Sequence, residues 1–457
     1  MSMLRYAVAI VIILAVVQGR ANAAAAGSPN RIALAEALRI AMRQNRSLRA
    51  AGLEQRAAGS EVTVARAQIL PRLDAIENYS NSNYPPLVFT DILAQQDFTT
   101  KDFSLSHLNF PSSYSNFQTQ AVLSQSLFAG GRLLASLRAA DDQADIGKFE
   151  AARTREQIEY EVIEAYYRAV LTEETTGVIA RAIDAAQAHR RVADDRFRQG
   201  MALKSDLLRT EVMLGSLEQR DTEAHAQLNI AWAALAHVLG AEDQMVAPLV
   251  PDDAIAGAPP ATLGRLDELT AEAPAHRPEF RIAQARVDAA RQRVTIARAE
   301  YLPTISVAAT YENDSQELTR AGNSYLVYAY VKENIFNGFA SMADLDAARA
   351  RLDRAKVLER DLREAIALEV ESAYRNLGAA RANIEVARHD CDYASDALGI
   401  LEDRYRAGLA ANVDVLDAQT SRSRADMQFA QARVAVVIDE AALRLASGEA
   451  PAAGLDK

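Results

Sequence analysis

The sequence predicts a mainly α-helical chain, in which long antiparallel coiled-coil helices are interrupted by two pairs of β-strands. Its longest helical segment, from Gly338 to Ala407, contains no proline and carries small or apolar residues at alternating spacings of four and three. At 1.5 Å per residue this segment makes a helix about 105 Å long, which needs partner helices along its whole length. The residues of this heptad seam are Leu377, Ala380, Ile384, Ala387, Cys391, Ala394, Leu398, Leu401 and Tyr405.

An internal repeat supplies the partner helices. A shift of 208 positions aligns Phe128-Ala129-Gly130 with Phe336-Asn337-Gly338, and a shift of 232 aligns the Ala-Arg-Ala-x-x-Leu-Pro motifs that end at Pro71 and Pro303. The chain therefore contains two copies of one repeat unit, and the first copy carries a 24-residue insertion between Pro71 and Phe128. We expect a first repeat at residues 24–246, a connector at 247–274 and a second repeat at 275–457. Each repeat has a helix, a strand pair (71–128 or 303–336), a long helix, a tip and a final helix.

Residues 1–23 have the features of a signal peptide. Arg5 precedes an apolar run from Tyr6 to Val17, and Ala21-Asn22-Ala23 is a cleavage site of small residues. A membrane anchor is the alternative, but the run is shorter than the roughly 20 residues that span a bilayer. Loss of this segment changes the formal charge from −11 to −13. An acidic exported chain of this kind is not expected to bind nucleic acid.

The residues that carry enzyme chemistry are not grouped in this sequence. Its one cysteine, Cys391, lies on the heptad seam, so we interpret it as a small packing residue rather than a reactive thiol. The six histidines show no metal-ligand spacing with cysteines or carboxylates. No catalytic triad or phosphate-binding loop is found, and no base or nucleophile accompanies the paired acids Asp414 and Asp417. We therefore expect no catalytic residue, metal site or cofactor.

The segments between the helices alternate as β-strands do. The first helix runs from Arg31 to Ile69 and ends before Pro71, and strands are predicted at Leu73–Ser82 and Phe117–Phe128. The long loop between these two strands, rich in Asn, Ser, Pro and Phe, is predicted to be irregular.

In the second repeat, Ile305 to Glu312 alternates apolar with small or polar residues, which is the pattern of a transmembrane β-barrel. The next strand, Tyr325 to Lys332, has tyrosines typical of a membrane interface at 325, 328 and 330. A water-soluble hairpin has the same alternation, so this alternative stays open. Four strands cannot close a barrel, and a membrane-spanning sheet without open edges therefore requires several chains.

Helix lengths predict how each repeat is assembled. In the first repeat, the long helix runs from Gly130-Gly131 to Gln199 and a second helix from Asp206 to about Leu239. The helix before the strands and the helix after the tip together match the length of one long helix. Two shorter helices are therefore expected to stack end to end beside each long one. The proline-rich connector at 247–274 is expected to be a side structure rather than a domain core.

Taken together, these motifs resemble the TolC-type outer-membrane efflux proteins. The resemblance rests on the repeated Ala-Arg-Ala-x-x-Leu-Pro, on Leu127-Phe128-x-Gly130-Gly131, on Tyr405-x-x-Gly408 and on Asp414-Val415-Leu416-Asp417, and it covers nearly all of the mature chain. Two departures are Asn45-Arg46 in place of the family's usual Asn-Pro, and Phe339 where a second glycine is common.

The resemblance implies a homotrimer in the outer membrane, with a shared twelve-stranded barrel in the lipid and a tube of helices that extends into the periplasm. It implies the exit duct of a tripartite efflux or type I secretion system, joined through a periplasmic adaptor to an inner-membrane transporter of the RND, ABC or MFS type. The cargo cannot be inferred from the sequence. The alternative is a periplasmic coiled-coil adaptor or a secreted structural protein, although an adaptor is expected to carry one helical hairpin.

Three groups of site residues follow from this resemblance. Asp414 and Asp417, spaced i and i+3, are expected to share a helix face at the narrowest part of the tube. For Asp414, stabilisation of the helix dipole is an alternative explanation. The transitions between barrel and helices are expected at Pro71, Gly130, Gly131, Pro303 and Gly338.

The two tips are expected to form the gate and the adaptor dock, through Phe197, Gly200, Ser205, Asp206, Tyr405 and Gly408. We expect the Tyr405 hydroxyl to donate a hydrogen bond to Asp206, with a purely packing role for Tyr405 as the alternative. The family's arginine two residues after the tip glycine is replaced by Ala410. Either the gate is therefore held more loosely, or Lys204 in the opposite tip substitutes for the arginine by reaching an acid such as Asp414. The loop at 81–116 is expected to face the outside of the cell, where a receptor for phage or toxin and a plug or lid are alternative roles.

Overall fold

A computed structural model describes residues 30–241, 246–248, 264–317 and 320–453. The predicted signal peptide and residues 249–263 of the connector lie outside these ranges. Among the described helices, none has an apolar stretch long enough to cross a membrane. In chain order the elements are β1 Asn30–Ile32, α1 Leu34–Gln44, α2 Arg46–Ala67, β2 Arg72–Ser82, α3 Pro85–Ala94, a 3₁₀ helix Thr100–Phe103, α4 Leu105–Asn109, β3 Tyr114–Ala129, α5 Arg132–Arg198, α6 Lys204–Leu239, β4 Val246–Pro248, α7 Leu266–His276, α8 Pro278–Ala299, β5 Thr304–Glu317, β6 Arg320–Lys332, α9 Ala340–Arg406 and α10 Asn412–Ser447.

The two halves of the chain repeat the same helices. The long helices α5 and α9 each have 67 residues, and α6 and α10, which follow them, each have 36. α2 and α8 each have 22 residues. The long helices and their successors are offset by 208 positions and the shorter pair by 232, as the sequence predicts. The internal repeat is therefore confirmed at the level of whole elements.

The helix predicted from Arg31 to Ile69 is divided at Asn45. Asn45 has an extended backbone, and its side chain accepts a hydrogen bond from the Leu48 N–H at 3.1 Å, so it caps α2. Its Nδ2 donates to the carbonyl of Val238, near the end of α6, at 2.8 Å. The prediction of one continuous helix was wrong, because a capping asparagine can start a new helix without any proline.

The shorter helices stack end to end beside the long ones, as the helix lengths predict. In the first repeat, the Asn45–Val238 contact joins the end of α6 to the start of α2. In the second repeat, Gly448 at the end of α10 lies against His276 and Arg277, between α7 and α8. α5 packs against α1, α2, α6, α8 and α10, while α9 packs against α7, α8 and α10. Every residue of the predicted heptad seam from Leu377 to Tyr405 is buried or half-buried.

The four longest strands form one antiparallel sheet in the order β2-β3-β5-β6. The pair β3 and β5, with Ala121 opposite Tyr311, joins the two repeats, whereas β2 and β6 are the edges of the sheet. The short strands β1 and β4 pair in parallel away from this sheet. The predicted strand pairs are confirmed, and each observed strand begins somewhat earlier or ends somewhat later than the sequence indicates.

The strand register assigns the side chains to two faces. Tyr311 lies opposite Tyr325 on the apolar face, while Tyr328 and Tyr330 lie opposite Ala308 and Ser306 on the face of small and polar residues. The prediction that all three tyrosines belong to the membrane interface was therefore wrong for Tyr328 and Tyr330. An odd spacing along a strand reverses the face, and positions 325 and 328 are separated by three residues.

The segment between β2 and β3 is folded, and the prediction of an irregular loop was wrong. It contains α3, the 3₁₀ helix and α4. Pro85 occupies the first turn of α3, where a proline favours a helix because its fixed φ suits that position. Phe89, Phe98 and Phe103 stack edge to face, with ring centroids 5.1 and 5.0 Å apart. The segment thus has a small aromatic core of its own.

The transitions between sheet and helices fall at the expected residues. Pro71 and Pro303 immediately precede β2 and β5. Gly130 has a φ of +59°, and a Cβ on it would lie 2.8 Å from the backbone oxygen of Ala299 in α8. In the second repeat Gly338 also has a positive φ, and it is followed by Phe339 at φ +70°. Phe339 therefore adopts a left-handed conformation that is unfavourable for a residue with a side chain.

Candidate functional site at the helix tips

Both long helices end in the same turn. Gly200 has a φ of +74° and Gly408 a φ of +80°, a conformation that glycine adopts without strain. In each turn an N–H beyond the glycine returns to the helix: Met201 donates to the Arg196 carbonyl, and Leu409 donates to the Arg404 carbonyl, both at 2.8 Å. These bonds satisfy carbonyl groups that the end of the helix would leave unpaired. Each hairpin therefore reverses within a compact, well-defined tip.

Asn412, the first residue of α10, connects the two hairpins. Its side chain is buried, and its Nδ2 donates to the backbone carbonyl of Asp206 at 3.0 Å and to Thr210 Oγ1 at 3.4 Å. Its Oδ1 lies 2.7 Å from Nε2 of His189 in α5. Because Oδ1 can only accept, this arrangement requires the hydrogen of His189 to be on Nε2. A single amide thus joins α5, α6 and α10.

Tyr405, near the end of α9, forms the second connection. The Arg196 guanidinium donates to the Tyr405 backbone carbonyl and lies over its ring, 4.9 Å from the ring centroid. The other ring contact is with His189, at 5.0 Å between centroids. Burial lowers the pKa of His189, although its bond to Asn412 opposes this, so the imidazole is neutral near pH 7. We call His189, Arg196, Tyr405 and Asn412 the tip clasp.

The expected hydrogen bond between Tyr405 and Asp206 is not formed. The Tyr405 side chain is 5% exposed, and its hydroxyl has no hydrogen-bond partner among the described residues. The link between the hairpins at Asp206 is made instead by its backbone carbonyl, which accepts from Asn412 Nδ2 as well as from Thr210 Oγ1 of its own helix. Tyr405 thus occupies the packing position of the alternative interpretation. Burial raises the pKa of its hydroxyl, so the group is uncharged at neutral pH.

The other predicted tip residues lie outside the clasp. Ser205 and Phe197 are exposed, and Gly408 lies close to the Arg196 side chain. Asp414 accepts a hydrogen bond from the Ala411 N–H at 3.1 Å rather than from Lys204. The expected substitution of Lys204 for the family's tip arginine is therefore not seen within the protomer.

Three clasp residues, His189, Arg196 and Asn412, could not be predicted from the sequence for a physical reason. His189 and Asn412 lie on different hairpins, and heptad spacing predicts which positions are buried but not which polar side chains meet across helices. Arg196 is the repeat equivalent of Arg404, and this equivalence does not show that its guanidinium contacts Tyr405. The available signal was a polar residue, His189, at a buried position of a helix that otherwise buries small and apolar side chains.

Asp414 and Asp417 both lie on the exposed surface of the first turns of α10. The bond from Ala411 makes Asp414 an N-terminal cap of that helix, which supports the dipole and capping explanation for this residue. The backbone carbonyl of Asp417 accepts a hydrogen bond from the Ser421 hydroxyl at 2.8 Å, and the Asp417 carboxylate extends into solvent. Their i, i+3 spacing places both carboxylates on one side of α10.

The remaining candidate for reactive chemistry is Cys391, which is half-buried on α9. Its thiol donates to an Asp426 carboxylate oxygen at 3.0 Å, and burial, with this hydrogen bond, raises its pKa to about 11. A thiol with this pKa is protonated at neutral pH and is a poor nucleophile. Within the described ranges, no group of His, Cys, Asp and Glu residues has the arrangement of a metal site.

Comparison with known proteins decides the identity of this assembly of sheet and helices. The family model described as outer membrane efflux protein matches residues 37–241 and 269–449. The chain belongs to this family. As an outer membrane efflux protein it is an export channel of the outer membrane, with a helical extension into the periplasm.

Two relatives and one solved structure illustrate the similarity of this efflux protein to others. It is 29% identical to protein CyaE of Bordetella pertussis, over 72% of this chain and 70% of that protein. It is 24% identical to the alkaline protease secretion protein AprF of Pseudomonas aeruginosa, over 92% of this chain and 89% of AprF. The crystal structure of the outer membrane protein VceC from Vibrio cholerae has the same fold, with a TM-score of 0.74 and 19% identity. The match covers 91% of this chain and 96% of VceC.

Proposed function

We propose that the chain is the outer-membrane exit duct of a tripartite efflux or type I secretion system and that it works as a homotrimer. One observation carries this proposal. The chain combines a four-stranded sheet that has two unpaired edges with two 67-residue helices, and both helices extend from the same end of that sheet. Relatives named for protease secretion and for efflux support both kinds of system. The proposed division of the chain is into the repeats 24–246 and 275–457.

Trimer formation follows from the edges of the sheet. β2 and β6 present unpaired backbone groups, which are unfavourable inside a bilayer unless another strand satisfies them. Pairing β6 of one protomer with β2 of the next closes a barrel of twelve strands from three copies. The face that carries Tyr311 and Val327 then contacts outer membrane lipid, and the polar face lines the lumen.

The helix tips are the part of the duct that faces the inner membrane. We propose that a periplasmic adaptor docks on the exposed groups there, among them Phe197, Ser205 and Lys204, and connects the duct to an inner-membrane transporter of the RND, ABC or MFS type. The tip clasp holds the two hairpins of each protomer together, so the duct opens only when these contacts separate or move as a unit. Transport is passive, and no catalytic step is required of this chain.

The proposal is tested by fractionation and by transport. The full-length chain, expressed with its own export signal, should be recovered from the outer membrane as a trimer that dissociates only on heating. Together with an adaptor and a transporter encoded beside it, the duct should restore export of the transporter's cargo to cells that lack their own duct. Recovery of a soluble monomer from the periplasm would instead support the adaptor or structural protein interpretation.

A further inference from the structure

The segment between β2 and β3, residues 83–113, is docked on β3 of the first repeat and on β6 of the second. We call this segment the outer lid. Gln95 donates to the Ser115 carbonyl at 3.0 Å and to Asn116 Oδ1 at 2.8 Å, and it accepts from the Tyr114 hydroxyl at 2.8 Å. Gln96 donates to the Asn323 carbonyl of β6 at 3.1 Å. The 24-residue insertion of the first repeat is thus held by hydrogen bonds to both strand pairs.

The lid approaches the polar face of the sheet. A Cβ built on Gly322 of β6 would lie only 2.1 Å from the backbone oxygen of Ala94 at the end of α3, so lid and strand are in backbone contact. Asn116 and Asp314, which the lid covers, are 3% and 1% exposed. Asp314 lies opposite Gln118, on the face opposite to that of Tyr311. If the polar face lines the lumen, as the proposed function requires, the lid lies inside the rim of the barrel.

Two carboxylates are buried together under the lid. Asp91 of α3 is 7% exposed, and its Oδ2 is buried without a hydrogen-bond partner among the described residues. Asp314 Oδ1 accepts from Asn116 Nδ2 at 2.6 Å and from Gln118 Nε2 at 3.3 Å. Gln118 and Gln120 also donate to Glu312, at 2.7 and 3.0 Å. The negative charge of Asp314 disfavours the ionised form of Asp91, and Asp91 Oδ2 has no hydrogen bond that would offset this effect.

The charged and titratable groups around Asp91 are mostly acidic. β5 contributes Asp314 and Glu312, β3 contributes Tyr114, and the lid contributes Asp97 and Asp102. The basic residues of the lid are Lys101, which is exposed, and His107, whose Nε2 lies 3.5 Å from Asp102 Oδ1. In the described part of the chain, no lysine or arginine forms an ion pair with Asp91 or Asp314. A proton on Asp91 is the smallest change that both satisfies Oδ2 and removes the repulsion.

We propose that a proton on Asp91 holds the outer lid in the mouth of the duct, and that loss of this proton to the external medium releases the lid. The inference rests on the proposed function only for the side of the membrane on which the lid lies. Burial, and next the charge of Asp314, raises the pKa of Asp91 when the lid is docked. Docking is therefore complete below the ordinary pKa of an aspartate and weakens as the pH rises through the raised value.

Hydrogen exchange of the lid tests the proposal directly. The trimer in lipid is measured at pH 5 and pH 8, with correction for intrinsic exchange rates. We expect the protection of the lid amides to fall by up to about tenfold for each pH unit between the ordinary pKa of an aspartate and the raised pKa of the docked state, because one proton is involved, and to level off at higher pH. Asp91→Asn keeps the shape without the charge and should keep the lid protected at both pH values. Equal protection of the parent lid at both pH values would overturn the proposal.

Two further variants sharpen this test. Asp97→Asn removes an exposed acid from the same lid and should respond to pH as the parent does. Loss of the pH response in this control would mean that the general charge of the lid, rather than the buried pair, holds it, and would refute the proposal. Gly322→Val places a side chain against Ala94 and should leave the lid unprotected at both pH values. A trimer that dissociates on heating in each variant shows that the chain has folded.

Conductance across a planar bilayer links the lid to transport. With the pH changed only on the lid side, the parent should conduct less at pH 5 than at pH 8. The Asp91→Asn variant should conduct weakly at both pH values, and the Gly322→Val variant should conduct strongly at both pH values. A pH response of Asp91→Asn equal to that of the parent would contradict a role for the proton on Asp91. The exchange result does not depend on export, so its failure would leave the duct function standing, whereas a parent trimer without any conductance would contradict the duct itself.

Discussion

At the residue scale, the tip is held by a few polar contacts around one buried aromatic ring. The Tyr405 ring lies between the Arg196 guanidinium and the His189 imidazole, and Asn412 fixes His189 by a hydrogen bond. Every one of these contacts crosses from one hairpin to the other. Charge-assisted and cation–π contacts in a partly buried setting each contribute about 1–2 kcal/mol, so a small number of them decides whether the tips stay together.

Substitutions at Tyr405 separate the role of its ring from that of its hydroxyl. Because the hydroxyl has no partner, Tyr405→Phe should leave the closed-state conductance of the trimer in planar bilayers as in the parent. Tyr405→Ala removes the ring that contacts Arg196 and His189 and should raise that conductance. A rise of the closed-state conductance in Tyr405→Phe would show instead that the hydroxyl has a hydrogen-bond partner in another protomer. The predicted link between Tyr405 and Asp206 would then be formed between protomers.

Asn412 offers a matched pair of variants at the same clasp. Asn412→Ala breaks the bonds to the Asp206 carbonyl and to His189, leaving buried groups unpaired at about 1–3 kcal/mol, and it should open the closed trimer further than Tyr405→Phe. Asn412→Asp keeps the acceptor for His189 but loses the donor to Asp206. The closed-state conductance of Asn412→Asp should therefore lie between those of the parent and Asn412→Ala. If Asn412→Ala closes as the parent does, helix packing alone closes the tube.

At the element scale, the positions of helix ends could be predicted, whereas contacts between elements could not. Gly200 and Gly408 mark the tips because only a residue without a side chain tolerates those φ values easily. The break at Asn45 and the helix at Pro85 were missed because asparagine and proline can begin a helix as well as interrupt one. The tip clasp depends on side chains more than 200 positions apart, such as His189 and Asn412, and periodicity carries no information about such pairs.

The junction between sheet and tube gives a prediction for a single element boundary. Gly130→Ala forces a left-handed conformation, which costs about 1–2 kcal/mol, and places a methyl group 2.8 Å from the Ala299 carbonyl oxygen, which costs about 1–3 kcal/mol more. We expect a lower melting temperature of the trimer by circular dichroism at 222 nm. Gly59→Ala, in the exposed interior of α2 with open space around it, should raise the melting temperature slightly. Equal melting temperatures for Gly130→Ala and the parent would contradict the tight junction.

At the scale of the whole molecule, the two repeats differ in charge at the start of the helices that follow the tips, α6 and α10. The positions of Asp414 and Asp417 in the second repeat correspond to Asp206 and Arg209 in the first, so only the second repeat presents two acids. Asp206 offers its backbone carbonyl to the clasp, while Asp414 and Asp417 are exposed on α10. In a trimer, one side of each α10 tip would bring six carboxylates around the axis, a ring that attracts cations and repels anions.

Removal of this ring is therefore expected to change ion selectivity. Asp414→Asn leaves a side chain that still caps a helix, so the fold should be kept, and Asp417→Asn removes a charge that extends into solvent. In planar bilayers, the double variant should show a lower cation-to-anion permeability ratio, by roughly fivefold for each 1 kcal/mol of lost attraction. Asp392→Asn with Asp396→Asn removes two exposed acids from α9 and should leave the ratio unchanged. If the double variant at Asp414 and Asp417 keeps the parent ratio, these acids serve only the start of α10 and the constriction lies elsewhere in the tube.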